Sequence, residues 1–317
     1  MHVGLGLVCG FKIKDLVEAG FDFIIFLADW HSWINNKLGG DLDKIRLCGE
    51  YFKDCFTAIG LSPDKVSYIW ASDIAEEINY WEKVIRIAKN ASLRRVRRAL
   101  PIMGREMDLS EIETAWVLYP CMQAADIFQM ELDVACAGMD QRKAHMLARD
   151  VAGKLGWRKP ICIHTPLLMG LQGPKESGEQ YDENVLLSLR ISSKMSKSKP
   201  ESCIFMHDSP EAIRQKIKNA FCPPKQSEGN PVLEHAKYII FPEKGVLEIP
   251  RPEKYGGSLV YESYEKLEED YVNGKVHPLD LKNGVAEALI EVLEPVREYF
   301  KRHPDNLEKM KKIEITR

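Results

Sequence analysis

Lysine and serine side chains are concentrated in one short stretch of this chain, SSKMSKSKP at residues 192–200. Three lysines and four serines stand there around Met195. Cationic donors with interleaved hydroxyls suit a group whose negative charge grows during a reaction, such as a departing pyrophosphate. A short run of this kind is also typical of a solvated loop. The stretch alone therefore leaves both interpretations open.

A second candidate for phosphate binding lies at the amino end. His2 and Gly4 precede the apolar run LGLVCGFKIKDLVEAG, which has helical spacing. A helix N-terminus carries free backbone N–H groups and partial positive charge, and glycine lets a phosphate approach the backbone closely. A histidine on the first turn can donate to a phosphate oxygen, although a lone terminal histidine is often disordered.

A third group of polar residues follows the spacing i, i+4, i+7. Tyr119, Gln123 and Asp126 therefore project from one face of a predicted helix. Polar residues at this spacing normally mark a solvated face. Here they interrupt an otherwise apolar segment, WVLYPCMQAADIF, and we expect them to line a buried polar pocket.

The composition is that of a globular chain without a membrane span. Of 317 residues, 45% are hydrophobic and 29% charged, and no apolar run approaches the roughly 20 residues that a span needs. No signal peptide is recognisable. The eight cysteines are scattered without a C-x-x-C pair, which predicts a reduced, cytoplasmic protein without structural zinc. The net charge of −3 argues against indiscriminate coating of nucleic acid, but it allows local basic faces such as LRRVRR at 93–98.

The first two thirds of the chain alternate strand-like and helical patterns. Apolar runs rich in branched and aromatic residues occur at 21–29, 65–72, 132–138 and 160–168. Helical spacing occurs between them at 41–59, 74–100, 110–128 and 141–155. This alternation predicts a parallel sheet buried on both faces, with ligands at the carboxyl ends of its strands.

The pattern breaks at residues 171–202, which include the polar sequence QGPKESGEQYDEN. Beyond them the chain is mainly helical: SPEAIRQKIKNAF has a Ser N-cap and a proline at the first helical position, and YESYEKLEEDYVNG ends on Asn-Gly. We expect a boundary near 206–210, with a second, mainly helical domain behind it.

Taken together, HVGLG at 2–6 and KMSKS at 194–198 resemble the two signatures of the class I aminoacyl-tRNA synthetases. Five further stretches resemble the tyrosyl-tRNA synthetases of the archaeal and eukaryotic type. They are LADWHSWIN at 27–35, YPCMQAADI at 119–127, GMDQRKAHMLARD at 138–150, RPEKYGG at 251–257 and HPLDLKN at 277–283. The resemblance runs over nearly the whole chain.

The resemblance implies an α/β fold: a Rossmann-like doubly wound parallel sheet followed by a mainly α-helical C-terminal anticodon-binding domain. The implied limits are 1–180 for the catalytic domain, with a helical insertion at about 74–118, then 181–207 for the KMSKS loop and linker, and 208–317 for the anticodon-binding domain.

The implied reaction is the activation of L-tyrosine by ATP and its transfer to tRNA(Tyr), with magnesium accompanying ATP. The catalytic residues would be His2, Lys194, Ser196 and Lys197. The ATP-binding set adds Gly4, Met195 and Ser198. The tyrosine-binding residues would be Ala28, His31, Tyr119, Gln123, Asp126 and Gln141. For His31 a purely structural role is the alternative.

The resemblance also implies a tRNA surface and a homodimer. Arg98, Arg142 and Lys143 match residues that approach the first base pair of the acceptor stem. Tyr255 and His277 match residues that stack on the first anticodon base, and Asp280 matches the one that binds its edge. The alternatives are that the basic residues belong to solvated faces and that Tyr255 is an ordinary surface aromatic.

Three features depart from the family pattern. Leu5 stands where the family often has a second histidine, and the loop before Lys194 is longer than in the compact archaeal form. Family members also carry a strand, a helix and a second phenol-contacting tyrosine ahead of the first motif, and we expect such a segment to precede His2. A tryptophanyl synthetase and a catalytically inactive RNA-binding paralogue are the alternatives.

Overall fold

The computed structural model describes residues 1–103, 112–174, 185–195 and 200–313. The strands are β1 (Ile24–Leu27), β2 (Ser67–Trp70), β3 (Val134–Gly138), β4 (Ile161–Thr165), β5 (Leu247–Ile249) and β6 (Leu259–Tyr261). The α-helices are α1 (Gly10–Glu18), α2 (Asp29–Ile34), α3 (Leu42–Ala58), α4 (Ala71–Ala75), α5 (Ile78–Asn90), α6 (Leu93–Arg97), α7 (Thr114–Gln129), α8 (Arg142–Leu155), α9 (Val185–Ser193), α10 (Pro210–Asn219), α11 (Pro231–His235), α12 (Phe241–Lys244), α13 (Tyr264–Val272), α14 (Pro278–Val292), α15 (Glu294–Arg302) and α16 (Asp305–Lys311). Wider π-helical turns precede α1 (Gly4–Cys9) and α12 (Ala236–Ile240). Among the described helices, none is long and apolar enough to cross a membrane.

The chain divides into two compact units that interleave in sequence. Unit 1 comprises Met1–Glu18, Asp54–Leu61 and Pro166–Asp305, and unit 2 comprises Ala19–Lys53, Ser62–Thr165 and Asn306–Arg317. The predicted domain limits at 180 and 207 stay predictions.

Unit 2 holds the four strands expected from the apolar runs, each within its predicted range. β1 pairs in parallel with β2, from Ile24 opposite Ser67 onwards. β3 pairs in parallel with β4, from Val134 opposite Ile161 onwards. Parallel pairing is therefore confirmed. Within the described residues the two pairs share no strand, so a single doubly wound sheet stays a prediction.

The core of unit 2 lies between α5, α7 and α8. Tyr80, Val84 and Ile87 form the buried stripe of α5, and Met122 and Leu147 pack against it from the other two helices. The predicted helical segment 74–100 is divided into α4, α5 and α6. Ala91 is extended, with φ −112° and ψ 133°, and the side chain of Ser92 accepts from the N–H of Arg95 at 3.2 Å. The serine cap thus begins a new helix where one was expected to continue.

Unit 1 combines the amino-terminal helix with α9–α15. A Cβ added at Gly6 would lie 2.2 Å from Sδ of Met206, so glycine permits the close packing of these two segments. The predicted caps are confirmed: Ser209 accepts from the N–H of Ala212 at 3.2 Å, and α13 ends before Gly274, which has φ +78°. Two helices, α14 and α15, meet at Leu293, because Pro295 in the first turn of α15 lacks the N–H that a continuous helix needs.

Candidate functional site

A buried carboxylate orients the end of β1 and the start of α2. Asp29 is 2% exposed and accepts from the N–H groups of Trp30 at 2.9 Å and Ser72 at 3.0 Å, and from Nε of Arg46 at 3.3 Å. Ser72 follows β2, so this side chain ties the carboxyl ends of the two strands together. Ala28 and His31, the residues predicted at the end of β1, are positioned by this connection.

Asp126, on the inward face of α7, is the charged centre of the pocket. It is 4% exposed, and its Oδ1 accepts from the hydroxyl of Tyr80 at 2.9 Å. Nε2 of His31 lies 3.0 Å from Oδ2, without hydrogen-bond alignment. Burial and the adjacent Asp126 carboxylate raise the pKa of Tyr80 above its usual range, so Tyr80 remains a hydrogen-bond donor.

Two glutamines form the polar end of the same pocket. Nε2 of Gln123 donates to Oε1 of Gln141 at 3.0 Å, and Nε2 of Gln141 donates to the carbonyl of Ile102 at 3.3 Å. Within the part of the chain that is described, Oε1 of Gln123 has no hydrogen-bond partner although it is buried. Gln141 thus fixes the amide of Gln123 with its carbonyl oxygen left to accept.

Aromatic rings line the space between these polar groups. The Tyr119 ring meets the His31 ring edge to face, with centroids 5.2 Å apart and planes at 85°. The Phe26 ring of β1 also meets the His31 ring edge to face, with centroids 6.0 Å apart. Burial, with Asp126 and then Asp140, raises the pKa of the Tyr119 hydroxyl, which therefore stays protonated. The group thus combines the buried acceptor oxygens of Asp126 and Gln123 with the aromatic rings of His31 and Tyr119.

His2 lies where the sequence placed it, at the start of the first helix in unit 1. Its Nδ1 accepts from the N–H of Leu5 at 3.3 Å, and its carbonyl accepts from the N–H of Gly6 at 2.9 Å. Because Nδ1 accepts, the neutral ring carries its proton on Nε2, which makes Nε2 a donor. A Cβ at Gly4 would lie 3.1 Å from Nδ1 of His2 and 3.5 Å from Cβ of Leu168.

Lys194 and Met195 pair with residues 168–170 of the same unit. The N–H of Gly170 donates to the carbonyl of Ser193 at 2.9 Å, and the N–H of Met195 donates to the carbonyl of Leu168 at 2.8 Å. Leu168 is also the neighbour of Gly4, so residues 168–170 touch both predicted phosphate-binding segments. The remaining predicted residues Ser196, Lys197 and Ser198 lie outside the described residues.

The predicted acceptor-stem residues lie on unit 2. Arg98 ends α6 and is exposed, and Arg142 and Lys143 begin α8 with Arg142 exposed. The positive charge of Arg142 is close enough to lower the pKa of His164, after the larger effect of burial. All three cations lie at helix ends.

The predicted anticodon residues lie on unit 1. Tyr255 is 63% exposed, and His277 caps α14 by accepting from the N–H of Leu279 at 3.2 Å through Nδ1. Asp280 stands in the first turn of α14. Arg251 donates to the carbonyl of Gly257 at 3.0 Å and to that of Lys275 at 3.3 Å. It thereby joins the loop of Tyr255 to the segment that precedes His277.

Sequence reasoning missed three residues of these sites: Tyr80, Asp29 and Arg251. Tyr80 could have been found, because it shares the buried i, i+4, i+7 stripe of α5 with Val84 and Ile87 and its hydroxyl needs a partner there. Asp29 and Arg251 bind backbone groups distant in sequence, and no local pattern indicates them.

Comparison with known proteins agrees with this geometry. The family model described as tRNA synthetases class I (W and Y) matches residues 1–294. A tyrosine–tRNA ligase of Aeropyrum pernix is 53% identical over 299 residues, which cover 93% of this chain and 81% of that protein. A tyrosine–tRNA ligase of Thermococcus gammatolerans is 51% identical over 336 aligned positions, covering all of this chain and 88% of that protein.

Solved structures give the same result. The crystal structure of a Pyrococcus horikoshii tyrosyl-tRNA synthetase complexed with L-tyrosine superposes with a TM-score of 0.91 at 47% identity, over 99% of this chain and 88% of that one. The chain therefore belongs to the class I tRNA synthetase family that contains the tryptophan and tyrosine enzymes, with its mainly helical fold and short strands. Within that family, identity near 50% over almost the full length places it with the tyrosyl-tRNA synthetases.

Proposed function

We propose that this chain activates L-tyrosine with ATP to form tyrosyl-adenylate and then transfers the tyrosine to the 3′ end of tRNA(Tyr). The observation that carries the proposal is the environment of Asp126. A carboxylate only 4% exposed shares one pocket with polar atoms of His31 and Gln123 that have no aligned partner among the described residues. Buried polar atoms are normally satisfied, so a ligand is the natural partner of these.

The phenol of tyrosine fits the Asp126 end of the pocket. Tyr80 already donates to Oδ1, and Oδ2 retains capacity to accept from a substrate hydroxyl. Phenylalanine has no hydroxyl, and it would close the pocket over a carboxylate oxygen without a donor, which is costly. The indole of tryptophan offers a donor at a different place.

The ammonium group of tyrosine fits the opposite end. Gln123 presents a carbonyl oxygen whose orientation is fixed through Gln141, and the Tyr119 hydroxyl lies on the same face of α7 one turn away. Oxygen acceptors of this kind accept hydrogen bonds from an ammonium group. Ala28 and His31 form the wall between the two ends.

The chemical step requires no side-chain base, because the tyrosine carboxylate is itself the nucleophile that attacks the α-phosphate of ATP. Stabilisation of the departing pyrophosphate is then the main task. Lys194 and Lys197 with Ser196 supply cationic and hydroxyl donors, Met195 and Ser198 complete the motif, and His2 and Gly4 bind phosphate at the helix start. Magnesium accompanies ATP as the counter-ion of its phosphates.

The tRNA would bind both predicted surfaces. Arg98, Arg142 and Lys143 approach the acceptor stem, and Tyr255, His277 and Asp280 read the anticodon by stacking and by an edge contact. The proposal includes a homodimer in which residues 1–180 of one subunit serve a tRNA that residues 208–317 of the other recognise. The exposed Tyr255 ring supports the stacking role.

Adenylate formation by Lys197→Ala tests the proposal against a binding-only paralogue. We expect a large loss of tyrosine-dependent pyrophosphate exchange, while tyrosine affinity measured by calorimetry stays close to that of the parent. If the parent is active and Lys197→Ala catalyses exchange equally well, the lysine motif does not have the assigned role. A parent that binds tRNA but forms no adenylate would favour the paralogue.

A further inference from the structure

We propose that Glu234 is a positioning residue for ATP-dependent activation, holding the backbone segment that aligns Lys194 at the start of the lysine motif. This inference rests on the proposed function, because it takes Lys194 to act on the phosphates of ATP.

Glu234 binds the segment directly. Its Oε2 accepts from the backbone N–H of Met169 at 2.8 Å. Met169 stands opposite Lys194 in an isolated antiparallel bridge. The neighbouring hydrogen bonds run from the N–H of Gly170 to the carbonyl of Ser193 and from the N–H of Met195 to the carbonyl of Leu168. In this pattern Met169 and Lys194 are a non-hydrogen-bonded pair, so the N–H of Met169 points away from Lys194. Within the described part of the Lys194 segment, no carbonyl is placed to accept from the N–H of Met169. Glu234 accepts this hydrogen bond instead.

The helix that carries Glu234 is a rigid support. α11 begins after Asn230, whose Oδ1 accepts from the N–H groups of Val232 at 3.1 Å and Leu233 at 3.3 Å. Asn230, Val232, Leu233 and His235 are all 0% exposed. A carboxylate fixed on so well-packed a helix can define the position of the backbone it binds.

The charges around Glu234 connect it to the second segment of the bridge. Burial raises the pKa of its carboxyl, and the opposing effects of the Met169 N–H, Arg190 and Lys237 are smaller. Arg190 belongs to α9, the helix that leads directly into Lys194. Glu234 thus contacts residues 168–170 through a hydrogen bond and attracts α9 through the positive charge of Arg190. These are the two segments that form the bridge.

Steady-state pyrophosphate exchange with varied ATP and varied tyrosine distinguishes this role from simple stabilisation. We expect Glu234→Ala to raise the KM for ATP or lower kcat by about tenfold or more, as loss of a hydrogen bond to a charged group implies, with the KM for tyrosine unchanged. Glu234→Gln, which keeps a carbonyl acceptor for Met169, should lie between Glu234→Ala and the parent.

Glu243→Gln is the matched control, since Glu243 belongs to the same unit and forms only a partly exposed ion pair with Lys14 at 3.8 Å. Calorimetric tyrosine affinity reports folding of the tyrosine pocket in each variant. Equal ATP kinetics for Glu234→Ala and Glu243→Gln with an active parent would overturn the positioning role alone. Parallel loss of tyrosine affinity and ATP kinetics in both Glu234 variants would also overturn it, in favour of a structural role. A parent without exchange would overturn the proposed function, and this inference with it.

Discussion

The hydroxyl of Tyr80 donates a 2.9 Å hydrogen bond to Oδ1 of Asp126, and both side chains are buried. This bond joins α5 to α7 across the core of unit 2. It also fixes the orientation of the carboxylate that we propose to bind the substrate phenol. In the proposed function, a core contact and a specificity determinant are the same interaction.

Replacing Tyr80 by phenylalanine should therefore affect stability and tyrosine recognition together. We expect a loss of about 1–2 kcal/mol in the free energy of unfolding, since a buried bond to a charged acceptor is removed, and a rise in the KM for tyrosine. Urea denaturation and pyrophosphate exchange measure the two effects. Tyr264→Phe is the control, because Tyr264 also donates to a carboxylate, Glu268 at 3.1 Å, in unit 1. A control that raises the tyrosine KM equally would refute the specific role of Tyr80.

Substitution of Asp126 by asparagine should weaken the preference for tyrosine over phenylalanine. We expect kcat/KM for tyrosine to fall about 10- to 100-fold, because a charge-assisted hydrogen bond is replaced by a neutral one. The phenylalanine value should change less, since phenylalanine makes no such bond. Asp270→Asn serves as control, because Asp270 accepts from Tyr261 at 3.4 Å outside the pocket. An unchanged tyrosine-to-phenylalanine ratio would contradict the assignment.

His277 has two separable roles, as a helix cap and as a proposed anticodon contact. Serine can cap α14 in its place but cannot stack on a base. We expect His277→Ser to retain stability within about 0.5 kcal/mol while kcat/KM for tRNA in aminoacylation falls about tenfold or more, as loss of a stacked base implies. Exchange without tRNA should be unaffected. If aminoacylation by His277→Ser matches the parent, His277 is a cap only.

The buried histidines predict a loss of stability in mild acid. Burial lowers the pKa of His235 to about 4, and burial with the nearby His164 lowers that of His145 to about 4. The unfolded chain binds protons near the ordinary histidine pKa of about 6.5 and the folded chain does not, so stability falls as pH drops from about 6.5 to 4. Each such histidine contributes a slope of up to about 1.4 kcal/mol per pH unit.

Urea midpoints at pH 7 and pH 5 measure this slope. We expect His235→Gln to reduce the difference between the two midpoints, whereas His303→Gln, at an exposed position, should keep it. The same difference in the parent and in His235→Gln would show that protonation of His235 does not contribute.

Local sequence predicted those features that local physics determines. The cap at Ser209, the four apolar strands and the shared face of Tyr119, Gln123 and Asp126 follow from residue type and period, and the structure has them. The helical spacing over 74–100 is confirmed, but the segment is divided, because the cap at Ser92 begins a new helix.

The side-chain contacts between the site residues and their partners could not be predicted from the sequence. Tyr80 meets Asp126 across 46 positions, and Asp29 meets Ser72 across 43. Such contacts depend on how helices and strands pack rather than on local propensity. Local sequence therefore indicates the candidate substrate-binding side chains and a buried tyrosine that needs a partner, but not which of these side chains meet.

Tyrosine-dependent pyrophosphate exchange by the unmodified chain measures whether the Asp126 pocket selects tyrosine for activation. Tyrosine, phenylalanine and tryptophan are each supplied with ATP and labelled pyrophosphate, and label entering ATP is measured. The structure of the Asp126 pocket predicts exchange with tyrosine and little with the other two amino acids. Exchange with tryptophan but not tyrosine, or with none of the three, would contradict the account.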